Sequence, residues 1–156
     1  MQTYHSDTYV GIDVGAKGAM TILTDEGIIT SIPFKDSIEP YIHHLRGLKV
    51  SLVGIEKVSA MPGQGVTSMF TFGQRYGELI AMCQCLELPY ILIQPKQWQK
   101  ACLIPAKSDK RAIAEHIKRL YPSANLYGAR GGLLDGVSDS LGIAHFTMLY
   151  KKGQTR

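Results

Sequence analysis

The sequence predicts an α/β fold in which a five-stranded mixed sheet is flanked by helices. Five short apolar runs, rich in β-branched residues, have the length of buried strands. Other stretches place apolar residues at helical spacing. Apart from one helical turn predicted at residues 96–101, the elements follow the order β-β-β-α-β-α-β-α-α. The chain has 156 residues, of which 45% are hydrophobic and 19% are charged, and this predicts a single globular domain over residues 1–156.

The strands are expected mainly in the first part of the chain. They are predicted at residues 8–14, 20–24, 28–33, 52–58 and 90–93. The turn-forming sequence Asp25-Glu26-Gly27 separates the second strand from the third, so the first three strands should form a hairpin or meander.

The helices are expected mainly between and after the later strands. They are predicted at residues 37–45 and 96–101, from Thr67 or Ser68 to about Leu86, from Ser108 to about Tyr121, and from about Asp135 onwards. The expected N-caps are Asp36 or Ser37, Thr67 or Ser68, and Ser108. Ile113, Ile117 and Leu120 are spaced to face the core. Trp98 is expected to pack in the core rather than to stack on a base.

Acidic residues occupy positions that an apolar core would exclude. Asp13 lies in the first predicted strand and Glu56 in the fourth, although an unpaired buried carboxylate is costly or shifts its pKa until it is neutral. Asp135 and Asp139 open the last helix and lie one turn apart on one face. If the first and fourth strands are neighbours and this helix crosses them, Asp13, Glu56 and Asp139 converge.

Such a set of carboxylates suits Mg²⁺ or Mn²⁺ rather than zinc. Two ions roughly 4 Å apart can activate a water and stabilise the leaving oxygen of a phosphodiester displacement. Structural interpretations compete with this one. Glu56 could form a salt bridge with Lys57 or be a strand-edge charge, and Asp135 could be the N-cap of the last helix.

The positive charge is concentrated in one segment. The chain carries a formal charge of +4, and seven basic and two acidic residues give the segment from Gln94 to Leu120 a net charge of +5. A basic zone beside clustered acids predicts that a polyanion is held near metal ions, although a solvated helix face is the simpler alternative. The candidate DNA-binding residues are Lys96, Lys100, Lys107, Lys110, Arg111 and Lys118.

The sequence shows no sign of a membrane or secreted protein. No apolar run approaches the roughly 18 residues of a membrane helix. The first seven residues lack the features of a secretion signal. The three cysteines, Cys83, Cys85 and Cys102, form no disulfide framework, which predicts reduced thiols in a cytoplasm.

Three segments resemble the acidic motifs of RuvC-type Holliday junction resolvases, which belong to the RNase H-like superfamily. They are Gly11-Ile12-Asp13-Val14-Gly15, Gly54-Ile55-Glu56-Lys57-Val58, and the stretch that opens with Asp135-Gly136-Val137-Ser138-Asp139. The resemblance spans Val10 to Phe146 and includes Phe72-Gly73-Gln74-Arg75-Tyr76-Gly77. The small size and the Asp-Gly-x-x-Asp pattern are similar to those of phage-type members.

The resemblance implies an RNase H-like fold and a metal-dependent nuclease that acts on branched DNA as a homodimer. It implies two Mg²⁺ or Mn²⁺ ions per active site, held by Asp13, Glu56, Asp135 and Asp139. Hydrolysis would leave 5′-phosphate and 3′-hydroxyl ends. Lys107 would be a catalytic, scissile-site cation, and Lys110 and Arg111 would contact phosphates.

The resemblance also implies a dimer contact on the long helix, through Phe70, Gly73 and Gly77. The alternative is that the two glycines, Gly73 and Gly77, pack on the sheet of the same chain. Cellular members carry a junction-inserting aromatic where this chain has Ser59, and Met61 or Phe70 are the candidate substitutes. The acids of the last motif are also spaced by four residues rather than three. These departures predict a broader preference that includes forks and flaps.

Three other functions share some of these features. An RNase H-type or general nuclease would use the same acids. A fragment of an actin-like or chaperone ATPase would share Gly-Ile-Asp-Val-Gly, although that fold needs about twice this length and a second phosphate loop. A non-catalytic DNA-binding protein would function without Asp13.

Overall fold

The computed structural model describes residues 6–155 and contains the predicted five-stranded mixed sheet flanked by helices. The strands are β1 (Thr8–Asp13), β2 (Ala19–Thr24), β3 (Ile29–Pro33), β4 (Val50–Glu56) and β5 (Tyr90–Ile93). The helices are α1 (Glu39–Leu45), α2 (Val66–Cys85), α3 (Pro95–Ala101), α4 (Lys110–Leu120) and α5 (Asp135–Lys151).

The strand order in the sheet is β3-β2-β1-β4-β5. The first three strands form the predicted antiparallel meander, and β1, β4 and β5 run parallel to one another. β1 and β4 are therefore neighbours, as the convergence of Asp13 and Glu56 requires. Their carboxyl ends meet at the same edge of the sheet.

Helix α5 lies directly against the sheet because β1 presents a glycine to it. A Cβ atom at Gly11 would overlap the carbonyl oxygen of Ser140 and the amide nitrogen of Ala144. A buried hydroxyl chain adds to this contact, since Thr21 Oγ1 lies 2.7 Å from Ser140 Oγ and 2.8 Å from Ser31 Oγ. The position of α5 over β1 and β2 is thus fixed next to Asp139.

Two apolar cores cover the two faces of the sheet. One joins the sheet to α3, α4 and α5 and includes the buried residues Trp98, Ile117 and Leu141. The other joins it to α1 and α2 and includes Tyr41 and Leu79. Both faces are covered, as expected for strands that read as continuous apolar runs.

The structure corrects several local predictions. The N-cap of α4 is Asp109, whose carboxylate accepts a hydrogen bond from the amide of Ala112, rather than Ser108. Helix α2 begins after Gly65 instead of Thr67 or Ser68, and α1 begins after Ile38. The N-cap of α5 is Leu134, so the N-cap interpretation of Asp135 is wrong.

Three further details differ from the sequence-based expectation or extend it. Leu120 is 38% exposed at the end of α4 and does not complete the core stripe. β4 ends at Glu56 rather than at residue 58. All three cysteines are free.

Among the described residues, no helix has both the length and the apolarity to span a bilayer. Most of the segment tested for a secretion signal, residues 1–5, lies outside the described part.

Candidate functional site

Asp13 and Glu56 end neighbouring parallel strands in matching register. Ile12 pairs with Ile55 across β1 and β4, so the next residue on each strand is an acid. Side chains alternate between the two faces of a strand, and Asp13 therefore points to the same face as Gly11, which contacts α5. The local sequence thus directs both carboxylates towards the helix that carries the other two acids.

Asp135 and Asp139 lie one turn apart at the start of α5, as predicted. Together with Asp13 they line an open cleft of about 510 Å³. Two cations, Lys17 and Lys110, line the same cleft. Glu56 lies beside this cleft rather than in its wall. The structure therefore brings three of the four predicted acids to one cleft and places the fourth at the adjacent strand end.

Each strand acid is oriented by a hydrogen bond to one of its carboxylate oxygens. The amide of Gly15 donates to Asp13 Oδ1 at 3.1 Å, and the indole Nε1 of Trp98 donates to Glu56 Oε2 at 2.8 Å. The partner of Glu56 is thus Trp98 and not Lys57, whose side chain is exposed. Among residues 6–155, the second oxygen of each carboxylate accepts no hydrogen bond.

Burial and mutual repulsion hold protons on the acids. Burial, with the charges of Asp13, Glu56 and Asp135, raises the pKa of Asp139 to about 8. Burial and the charge of Asp13 raise the pKa of Glu56 to about 7, although the hydrogen bond from Trp98 opposes the shift. Burial also raises the pKa of Asp13, against the hydrogen bond from Gly15. Such a cluster of negative charge attracts a cation.

Asp135 differs because it already has a cationic partner. Burial would raise its pKa, but the hydrogen bond and charge of Lys110 outweigh burial, and the pKa of Asp135 is lowered. Lys17 adds to the same effect. The side chain of Lys110 is 75% exposed, so its ammonium reaches the cleft from the solvent side.

The ligand chemistry of the four acids fits a hard divalent cation, but their present geometry does not close around one. Within residues 6–155, no group of three or more His, Cys, Asp or Glu side chains is arranged to hold a metal ion. Lys110 engages Asp135, and Glu56, which accepts the hydrogen bond from Trp98, lies beside the cleft. A cation would therefore have to displace Lys110 and draw the carboxylates together.

The sequence matches no protein-family model and no curated protein significantly. Its structure, in contrast, matches solved structures over nearly its whole length. RuvC from Thermus thermophilus, in complex with a Holliday junction substrate, aligns over 96% of each chain with a TM-score of 0.65 at 11% identity. The chain has a RuvC-like fold. A second Thermus thermophilus RuvC structure covers 96% of this chain and 98% of that chain, with a TM-score of 0.61 at 13% identity.

The match to RuvC confirms the RNase H-like fold predicted from the sequence. Because the identities are low, the likeness establishes the arrangement of strands and helices, and the chemistry of the site depends on this chain's own residues. The three acidic motifs that carried the resemblance lie at the ends of β1 and β4 and at the start of α5.

The predicted DNA-binding residues occupy four different places on the RuvC-like fold. Lys96 and Lys100 form one edge of a groove of about 700 Å³ that Lys107 also lines. Lys110 lies in the acid cleft, whereas Lys107, predicted as a scissile-site cation, lines the neighbouring groove. Arg111 is exposed. Lys118 instead donates to the carbonyl of Ala124 at 2.5 Å and anchors the loop after α4.

The predicted dimer residues lie on an uncovered part of α2. Phe70 is 75% exposed, and no atom of the described residues would lie within 4 Å of a Cβ atom at Gly73 or Gly77. The alternative that these glycines pack on the sheet of the same chain is therefore wrong. Met61, the other candidate for the missing aromatic, is 64% exposed in the loop before α2.

Sequence reasoning missed three residues beside the site. Lys17 lies in the loop directly after Asp13, and its place between Gly15 and Gly18 was the available signal. Arg75 belongs to a segment that carried the resemblance, yet its role depends on the fold. Its guanidinium donates to the carbonyl of Gly15 at 3.3 Å and lies 3.6 Å from the ring centre of Phe34. The third is Trp98, whose contact with Glu56 no local pattern indicates.

Proposed function

We propose that this protein is a metal-dependent endonuclease that nicks branched DNA, with the Holliday junction as its principal substrate. One observation carries the proposal. Asp13, Asp135 and Asp139 meet in one cleft, with Glu56 at the neighbouring strand end, on a fold that matches RuvC. An RNase H-type nuclease would use the same acids, so substrate preference must separate the two.

The four carboxylates would hold two Mg²⁺ or Mn²⁺ ions per active site. Bound there, the ions would supply Lewis-acid activation and charge neutralisation for phosphodiester hydrolysis. The protein's own part is to orient the ligands: Gly15 fixes Asp13, and Trp98 fixes Glu56. Asp139, whose pKa is about 8, would have to lose its proton to serve as a ligand. The products carry 5′-phosphate and 3′-hydroxyl ends.

Two lysines at the cleft contribute positive charge where a DNA phosphate would enter. Lys110 pairs with Asp135 and is exposed. If a cation took its place at Asp135, its ammonium would be free to bind the phosphate. Lys17 lines the same cleft. We assign Lys107 to phosphate binding in the neighbouring groove, together with Lys96 and Lys100.

A homodimer would present two such clefts to a two-fold symmetric junction and allow paired nicks. The exposed face of α2 around Phe70, Gly73 and Gly77 is the proposed contact. Sedimentation should show that Phe70→Glu converts the dimer to a folded monomer. Tyr150→Glu, at a side chain 50% exposed on α5, should leave the dimer intact. A monomeric unmodified protein would remove the dimer from the proposal.

The proposed function also includes a cytoplasmic location and a phage-type origin. The protein acts in a cytoplasm, that of the host cell if a phage encodes it. Burial raises the pKa of Cys83 and Cys102 to about 12, which keeps both thiols protonated and inert in either case.

A substrate panel tests the proposal. Labelled four-way junction, replication fork, flap, linear duplex and RNA–DNA hybrid are incubated with the protein and Mg²⁺, and each is repeated with EDTA. We expect nicking of the junction, weaker nicking of the fork and flap, and no cutting of the linear duplex. Preferential cutting of the hybrid would assign the protein to the RNase H type. Binding of the junction without cutting, in Mg²⁺ and in Mn²⁺, would leave a non-catalytic DNA-binding protein.

A further inference from the structure

Trp98 connects the two elements that carry the acids Glu56 and Asp139. It is the only tryptophan of the chain, it is 1% exposed, and its Nε1 donates to Glu56 Oε2 at 2.8 Å. The other edge of its ring contacts α5. A Cβ atom at Gly142 would lie 2.7 Å from two carbons of the indole ring, so the ring fits against the helix only because this residue is glycine.

The helix that carries Trp98 is itself held in place. Its N-terminus forms a capping box in which the Gln97 side chain accepts a hydrogen bond from the amide of Gln94 at 2.8 Å. Pro95 occupies the first turn. The indole therefore reaches Glu56 from a short, well-defined helix, while Gly142 lies three residues after Asp139 on α5. The ring spans the gap between β4 and α5.

We propose that Trp98 is a positioning residue that fixes one oxygen of Glu56 and leaves the other to face the cleft, an inference that rests on the proposed nuclease function. An indole N–H donates and cannot accept, so it pairs with the carboxylate oxygen and never with a carboxyl proton. A phenylalanine would fill only part of the indole's space and would leave Glu56 Oε2 without this donor. Free to rotate, that carboxylate would turn away from its acidic neighbours.

The expected consequence is weaker cation binding without loss of the fold. Side chains that orient a metal ligand by hydrogen bonding to it typically contribute 10–100-fold to metal affinity or activity. We expect an effect of about that size on Mn²⁺ affinity when the N–H of Trp98 is removed. Substrate binding through the basic groove should change little, because Lys96, Lys100 and Lys107 are distinct from this contact.

The hydrogen bond can be tested in the metal-free protein. Because the chain has one tryptophan, a ¹⁵N-labelled sample gives one indole N–H resonance, and that resonance reports this contact alone. Glu56→Met removes the acceptor and keeps the side-chain length, and it should shift the indole proton upfield and speed its exchange with solvent. Glu26→Gln, in the exposed turn after β2, is the matched control and should leave the resonance unchanged.

The positioning role can be tested by replacing one atom of the ring. Growth of a tryptophan auxotroph on 3-benzothienylalanine exchanges only residue 98, keeps the bicyclic shape and replaces N–H with sulfur. Mn²⁺ binding is then measured by calorimetry, with circular dichroism as the check on folding. We expect a folded protein with 10–100-fold weaker Mn²⁺ binding. Trp98→Phe provides a second variant that also lacks the donor.

The outcomes separate this inference from the proposed function. Unchanged Mn²⁺ affinity in the folded analogue would overturn the positioning role while leaving the nuclease proposal intact. An unchanged chemical shift of the indole proton in Glu56→Met would also overturn the positioning role and leave the nuclease proposal intact. If the unmodified protein bound no Mn²⁺, the proposed function and the role of Trp98 in it would both fail, whereas the indole shift would still report the contact itself.

Discussion

Gly11 lies against the backbone of Ser140, with no room for a side chain between β1 and α5. This contact brings the first acid of the chain to the last ones, because Asp13 follows two residues after Gly11 and Asp139 directly precedes Ser140. The approach of the two backbones therefore determines whether the cleft exists. The same relationship explains why a glycine stands in the middle of a buried strand, where it would otherwise weaken the sheet.

Gly11→Ala should destabilise the protein by about 3 kcal/mol or more, because the new methyl group meets backbone atoms that cannot turn aside. Denaturant unfolding measures the change. Gly132→Ala is the control, since among the described residues nothing lies within 4 Å of a Cβ atom at this exposed loop position, and it should change the stability by no more than about 0.5 kcal/mol. A Gly11→Ala protein of unmodified stability and activity would show that the backbones are further apart in solution.

Asp139→Asn should stabilise the metal-free protein at pH 8. The pKa of Asp139 is about 8 in the folded protein, above its ordinary value near 4, so the folded state binds this proton more tightly than the unfolded chain. The resulting stability is complete below about pH 4 and is lost as the pH rises through 8. Glu56, with a pKa of about 7, contributes in the same direction.

Thermal unfolding in EDTA between pH 5 and pH 8 measures this effect. The unmodified protein should lose stability across the range, and Asp139→Asn should lose less and be more stable at pH 8, by on the order of 2 kcal/mol. Equal pH profiles for the two proteins would mean that Asp139 is not buried among other charges. Added Mg²⁺ should reduce the difference.

Lys110→Met should tighten Mn²⁺ binding in the absence of DNA and slow cleavage of a junction. The ammonium of Lys110 occupies Asp135, so a cation must displace it, and an exposed pair of this kind contributes up to about 1 kcal/mol, or roughly 5-fold. Calorimetry with Mn²⁺ measures the first effect. Lys107→Met is the matched control because Lys107 lines a different groove, and its Mn²⁺ affinity should not change. Weaker binding in Lys110→Met would contradict a displaceable ammonium.

The double substitution Lys96→Ala and Lys100→Ala should weaken junction binding to the same extent whatever the DNA sequence of the junction. The two side chains lie one turn apart on α3 and edge a groove, where they would contact DNA phosphates. Losing two phosphate contacts should lower the slope of log affinity against log salt by about 1.8. Lys49→Ala, at the opposite end of the sheet, should leave the slope unchanged. An unchanged slope in the double variant would place the DNA elsewhere.

The strands, and the neighbouring positions of β1 and β4 that place Asp13 and Glu56 at one edge of the sheet, could be predicted from sequence patterns. A carboxylate in an apolar β-branched run is visible in the sequence, and parallel neighbours place their ends together. The choice between Ser108 and Asp109 as N-cap could not be predicted, because adjacent residues of similar capping tendency differ only by the exact turn of the chain.

The contacts that orient the acids could not be predicted from the sequence either. Trp98 reaches Glu56 across 42 positions of the chain, and Lys110 reaches Asp135 across 25. Each contact depends on where α3 and α4 pack against α5. The charge pattern of the sequence does not distinguish Lys107 from Lys110. Lys110 lines the cleft because it is the first residue of α4.

The central claim is that the clustered acids cut branched DNA, and single-turnover nicking of a labelled four-way junction in Mg²⁺ tests it most directly. The unmodified protein, Asp13→Asn and Glu26→Gln are compared, with thermal unfolding to confirm that all three fold. We predict nicking by the unmodified protein and by Glu26→Gln, abolished in EDTA, and a loss of at least about 100-fold in Asp13→Asn. Equal nicking by Asp13→Asn, or none by the folded unmodified protein in Mg²⁺ or Mn²⁺, would contradict the account.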